Sequence, residues 1–134
     1  MTTYQMYSAS VASSDGAAMV DIAEDGVIEE VEWQISGAAG AGVGSHGGEL
    51  SFGSTSSHTT NDARQVISRF QAASDPANGA FAANKTVNPE VKVYAGERIY
   101  LHTLFQFGTA ASSCRLHAII RVRDSAKGSM RVRR

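Results

Sequence analysis

Residues 98–107 (RIYLHTLFQF) and 113–123 (SCRLHAIIRVR) decide the fold class. In the first stretch Ile99, Leu101, Thr103 and Phe105 fall on one parity. In the second, Cys114, Leu116, Ala118, Ile120 and Val122 fall on one parity, and Arg115, His117, Arg121 and Arg123 fall on the other with Ile119. Successive side chains of a strand point to opposite faces, so this alternation describes antiparallel strands with one face in a core and one in water. Residues 108–112 read as the turn between them. A register that sets Phe105 opposite Cys114 also sets His102 opposite His117, both on the outward parity.

Upstream, Val91–Tyr94 reads as a strand and Ala95-Gly96 as a tight turn. Val27–Ile35 is a strong strand, with Val27, Val31, Trp33 and Ile35 on one parity and Glu30, Glu32 and Gln34 on the other; Glu29 breaks the apolar parity. Thr3–Val11, Ala17–Ile22 and a short stretch around Leu50 and Phe52 are further strands. Glu24-Asp25-Gly26 is a turn. Residues 36–48 hold six of the thirteen glycines and read as a long flexible loop, and residues 74–89 as another. One helix is expected after Thr60 or Asn61, with Asp62 at its positive end and Val66, Ile67 and Phe70 as its stripe, stopped by Ser74-Asp75-Pro76. The alternative there is an edge strand over 65–71, because Val66 and Ile67 are β-branched.

These elements predict a mainly β fold, an antiparallel β-sandwich or jelly roll of about seven strands with one short helix. Trp33, Ile35, Ile99, Leu101, Leu116, Ala118 and Ile120 are its expected core. The chain of 134 residues is read as one domain over 1–124 with a basic tail over 125–134. Lys127, Arg131, Arg133 and Arg134 of that tail are the candidate partner contacts.

The net charge of −1 conceals a split. Residues 1–63 carry nine acids and no Lys or Arg, whereas residues 64–134 carry all twelve basic residues and four acids. Either the two halves neighbour one another and neutralise internally, or they form a bipolar surface that attracts further copies; both can hold. Cys114 is the single cysteine, so no intrachain disulfide forms, and its parity makes it a buried small hydrophobe. No apolar run approaches the roughly 20 residues that cross a bilayer. The N-terminal stretch lacks the basic and apolar regions of a signal peptide.

No assembled catalytic site is visible. Residues 42–47 match G-x-G-x-x-G but lack the preceding strand and following helix that hold a pyrophosphate. Glu30 and Glu32 share a strand face, which reads as a solvated face rather than an acid–base pair. His46, His58, His102 and His117 have no zinc spacing, and a His102–His117 pair would supply only two ligands. No metal and no cofactor is expected. Four tail cations without interleaved aromatics do not make a nucleic-acid footprint, and nucleic acid is not an expected partner.

The stretch 91–102 (VKVYAGERIYLH), followed by the strand 114–123, resembles the closing strands of small jelly-roll proteins in the virions of tailed bacteriophages, of the head decoration or cement type. The resemblance covers about the last 35 residues. It implies a non-enzymatic virion component that clamps capsid or other virion proteins as a homo-oligomer, with a trimer the first choice; the N-terminal stretch adds the expectation of synthesis in the host cytoplasm. A receptor- or carbohydrate-binding β-sandwich module of a phage fibre or tail is the alternative; it would need exposed aromatics, for which Tyr4, Tyr7, Tyr94 and Tyr100 are the candidates.

Overall fold

The computed structural model of the chain describes residues 3–12, 17–38, 45–52, 65–73, 80–105 and 113–124. Nine strands run through them: β1 Tyr4–Val11, β2 Ala17–Asp21, β3 Gly26–Ala38, β4 Ser45–Phe52, β5 Gln65–Ala73, β6 Ala80–Val87, β7 Val91–Val93, β8 Arg98–Phe105 and β9 Ser113–Asp124. One antiparallel sheet has the order β1-β9-β3-β6, with β7 also paired to β3; the other has the order β2-β8-β4-β5. With β7 set aside as a short addition, first pairs with last, second with second-last, and so on inward. That is the winding of a jelly roll.

The core lies between the sheets. From β9, Leu116, Ala118, Ile120 and Val122 are fully buried, and they meet Trp33, Val31, Leu50, Ile99 and Leu101 from β3, β4 and β8. All seven expected core residues are buried. Trp33 stacks on Phe70 of the opposite sheet at 6.0 Å, and its Nε1 donates to Ser68 Oγ at 3.1 Å. The indole is therefore both packed and satisfied.

Four expectations are corrected. The expected helix is β5: its pairing with β4 is irregular between Leu50 and Ser51, opposite Ser68 and Val66, so Ile67 is an extra residue. A bulge breaks the period-2 alternation, and Val66, Ile67 and Phe70 then imitate helical spacing. The expected loop over 74–89 contains β6, an edge strand whose side chains are mostly exposed and so carry no apolar alternation. The expected 36–48 loop is partly strand, because β3 continues to Ala38 and β4 begins at Ser45. Gly48 is buried between the sheets: a Cβ there would lie 2.5 Å from Leu116 Cδ2 and 2.9 Å from Trp33 Cζ3. The glycine permits close approach rather than mobility. Finally, β8 and β9 do not pair. They lie in opposite sheets, which separates His102 from His117.

The expected turn at 95–96 is present. Glu97 N donates to Tyr94 O at 3.0 Å, and Gly96 has φ of 90°, as the third position of a type II turn requires. Asp25 Oδ1 accepts from Ala95 N at 2.8 Å and ties this turn to the approach of β3.

Candidate functional site

The outward face of β9 organises the surface of its sheet. Its side chains stand opposite those of β3 in the register Arg121–Glu30, Ile119–Glu32, His117–Gln34 and Arg115–Ser36. At one end cations meet acids. Arg121 Nη1 lies 3.2 Å from Glu30 Oε2, and its Nε lies 3.4 Å from Glu29 Oε2. Arg123 reaches Glu29 at 3.3 Å and Glu90 at 3.4 Å. The Arg121 guanidinium also sits 5.2 Å above the Tyr4 ring. Desolvation by itself would lower the Arg123 pKa, but the carboxylates of Glu90 and Glu29 outweigh it and hold it above its usual value.

Glu29 reaches this network because β3 bulges between Ile28 and Glu30. Ile28 turns into the core, and the break that Glu29 makes in the apolar parity is the bulge itself. Two more pairs repeat the theme on the other sheet: Arg98 Nε–Asp21 Oδ1 at 2.7 Å and Arg69 Nε–Glu49 Oε2 at 2.8 Å. The hydrogen bond from Arg98 holds the Asp21 carboxyl below the usual carboxylate range. Apart from Glu90, every acid in these pairs comes from the first 63 residues, and every base from the remainder. At these pairs, among the described residues, the two sequence halves neutralise one another.

The other end of the same face is a hollow of about 740 Å³ that crosses all four strands. One row runs Ser10, His117, Gln34, Asn84 in register from β1 to β6. The next holds Arg115, Ser36 and Ala82. Val11, Leu116, Ile35 and Ala83 form the floor, their side chains turned inward. Short side chains at 10, 12, 36 and 82 leave the space open. Gln34 Nε2 donates to Glu32 Oε1 at 3.1 Å. Arg115 is exposed and has no ion-pair partner among the described residues.

The candidate contacts Lys127, Arg131, Arg133 and Arg134 lie outside the described residues, as does His58. His117 lines the hollow, while His102 is buried opposite Glu49 and Ala17. The outward parity of His102 is therefore correct in direction but wrong about water: Glu49, Ser51, Tyr100 and His102 are all closed off on that face. His46 is buried in β4, and desolvation lowers its pKa. Among the described residues no group of three His, Cys, Asp or Glu is placed to hold a metal ion. No helix there is long and apolar enough to cross a membrane. Of the four tyrosines, Tyr4 is 50% exposed, at the ion-paired end. Tyr7 is partly buried, with its hydroxyl bonded to Gln5 Oε1 and Ala23 N. Tyr94 and Tyr100 are buried. None lines the hollow. Sequence reasoning placed Arg115 on the outward parity but missed its importance, because the signal is the lack of an acid opposite it and only the β3–β9 register reveals that.

No protein-family model matches the chain, and no curated protein matches it. Solved structures of similar strand architecture include Eiger TNF from S. frugiperda, at TM-score 0.45 and 13% identity over 85% of this chain and 70% of that one. The Drosophila NLP core aligns at TM-score 0.36 and 14% identity over 85% of this chain and 95% of that one. A chain of infectious bursal disease virus, Gx strain, aligns at TM-score 0.35 and 9% identity over 96% of this chain and 34% of that one. These are likenesses of β-sandwich architecture alone.

Proposed function

We propose that this chain is a non-enzymatic structural protein of a virus particle, a capsid decoration or cement protein that acts by packing its sandwich against other virion proteins. The observation that carries the reading is the outer face of the β1-β9-β3-β6 sheet. A broad hollow of small and polar side chains lies at one end, and the exposed Tyr4 and Met6 stand on β1 toward the other. Protein interfaces combine such apolar and aromatic contacts with a polar rim. The resemblance of the closing strands to phage decoration proteins points the same way. Because Asp21, Glu29, Glu30 and Glu49 are already paired with arginines of the second half, charge attraction between copies contributes less than the sequence alone implies. A homo-oligomer, first a trimer, is held by surface burial instead.

A carbohydrate-binding role is the second reading, favoured by the Gln34 and Asn84 amides in the hollow. Small-molecule sites are lined mainly by apolar and aromatic groups, and no tyrosine lines this one. The test is mass measurement of the free protein together with its copy number in purified particles. Oligomers that enter the particle are expected, and removing residues 125–134 should weaken docking more than folding. A monomer that enters no assembly would overturn the proposal.

A further inference from the structure

We infer that the hollow on the β1-β9-β3-β6 sheet is a docking site for an acidic peptide segment of a partner protein, with a partner carboxylate taking the place opposite Arg115 where the described residues supply no acid. The inference deepens the proposed packing role and rests on it. Charge complementarity is incomplete along a single strand. On the outward face of β9, Arg121 and Arg123 each have carboxylates within 3.4 Å. Arg115 lies on the same face, but β3 presents Ser36 opposite it and Gln34 opposite His117. The strand pair that neutralises its cations at one end leaves one open at the other, inside a concavity.

The remaining chemistry suits a peptide. A guanidinium takes a carboxylate through two parallel hydrogen bonds. The Gln34 and Asn84 side-chain amides and the Ser10 and Ser36 hydroxyls offer donors and acceptors to a peptide backbone. Three inter-strand spacings of about 4.8 Å separate β1 from β6, enough for roughly four or five extended residues. An acidic sugar is disfavoured by the lack of an aromatic platform, and a nucleic acid by the single described cation in the hollow.

The experiment is fluorescence anisotropy of the full chain with a fluorescein-labelled oligo-glutamate peptide, with oligo-glutamine and oligogalacturonate as comparators. The wild-type chain should prefer oligo-glutamate, and Arg115→Ala should weaken that binding by about tenfold or more, as expected for loss of a charge-assisted bidentate contact. Ser36→Glu should weaken it similarly, because it supplies the missing acid within the chain, and should do so without lowering the thermal midpoint. Arg123→Ala, whose cation is already occupied, should bind as the wild type does. Unchanged binding by Arg115→Ala, tighter binding of oligogalacturonate, or self-association lost on Arg115→Ala would each overturn the inference. Particle incorporation separates the two proposals. A chain that binds oligo-glutamate through Arg115 yet enters no particle retains this site and loses the virion role. An Arg115→Ala chain that binds the peptide and enters particles like the wild type loses the site and retains the role.

Discussion

Replacing Gly48 with alanine tests the packing of one sheet on the other. The added methyl would lie 2.5 Å from Leu116 Cδ2, 2.9 Å from Trp33 Cζ3 and 3.1 Å from Leu116 Cδ1. Leu116 and Trp33 are both fully buried, so neither can swing into solvent to make room. Overpacking of this kind costs about 1–3 kcal/mol. The lower backbone entropy of alanine in the unfolded chain returns about 0.5–1 kcal/mol. The net expectation is a loss of up to about 2.5 kcal/mol, centred near 1 kcal/mol, or a fall in Tm of roughly 4 °C at that centre for a chain of this length. Urea denaturation gives the free energy directly, and a double-mutant cycle identifies its source. Leu116→Ala alone should cost about 2–5 kcal/mol through the cavity it leaves. Adding Gly48→Ala to it should cost clearly less than it does in the wild type, because both Leu116 contacts are gone and the Trp33 ring, 2.9 Å from the methyl, can shift into the vacated space. If residues 36–48 were a flexible loop, Gly48→Ala would be neutral or stabilising and independent of Leu116. That outcome would refute the sheet packing described above.

Other perturbations address separate contacts. Trp33→Ala should destabilise by about 3–5 kcal/mol, measured by denaturant unfolding, since it empties a site bounded by both sheets. Asp21→Asn should flatten the acid limb of the stability profile. The Asp21 carboxyl is depressed in the folded chain by Arg98, so its contribution is present above the unfolded carboxylate range and lost as pH falls through the folded value; an unaltered acid limb would count against the pair. The buried His46 also has a depressed folded pKa, so the unfolded chain binds the proton first and stability should drop as pH falls below about 6.5. Thermal midpoints of His46→Gln should show a shallower fall over that window than those of the wild type, and equal slopes would remove His46 as the cause. Arg121→Ala should cost less than about 1 kcal/mol despite its several contacts, because the group stays partly hydrated.

The alternation in β3, β8 and β9 was legible in the residues themselves, because the period of side-chain direction belongs to each strand and does not depend on what it pairs with. Trp33, Ile99, Leu101 and Leu116 could therefore be placed in a core before any partner was known. The Tyr94–Glu97 turn was equally local, since Gly96 supplies the positive φ it needs. Pairing was not local. In a jelly roll consecutive strands commonly lie in opposite sheets, so the short connection between β8 and β9 suggested a hairpin where the fold places a sheet crossing. The His102–His117 juxtaposition fell with it. The β5 bulge and the exposed edge strand β6 lacked the apolar pattern that marks a strand in sequence, and Gly48 looked like a flexible residue until the side chains of the opposite sheet filled the space its missing Cβ leaves. The charge division between the halves was plain from composition. That Glu29, Glu30 and Glu90 meet Arg121 and Arg123, while Arg115 meets Ser36, depended on register and a bulge, which only long-range packing of the strands sets.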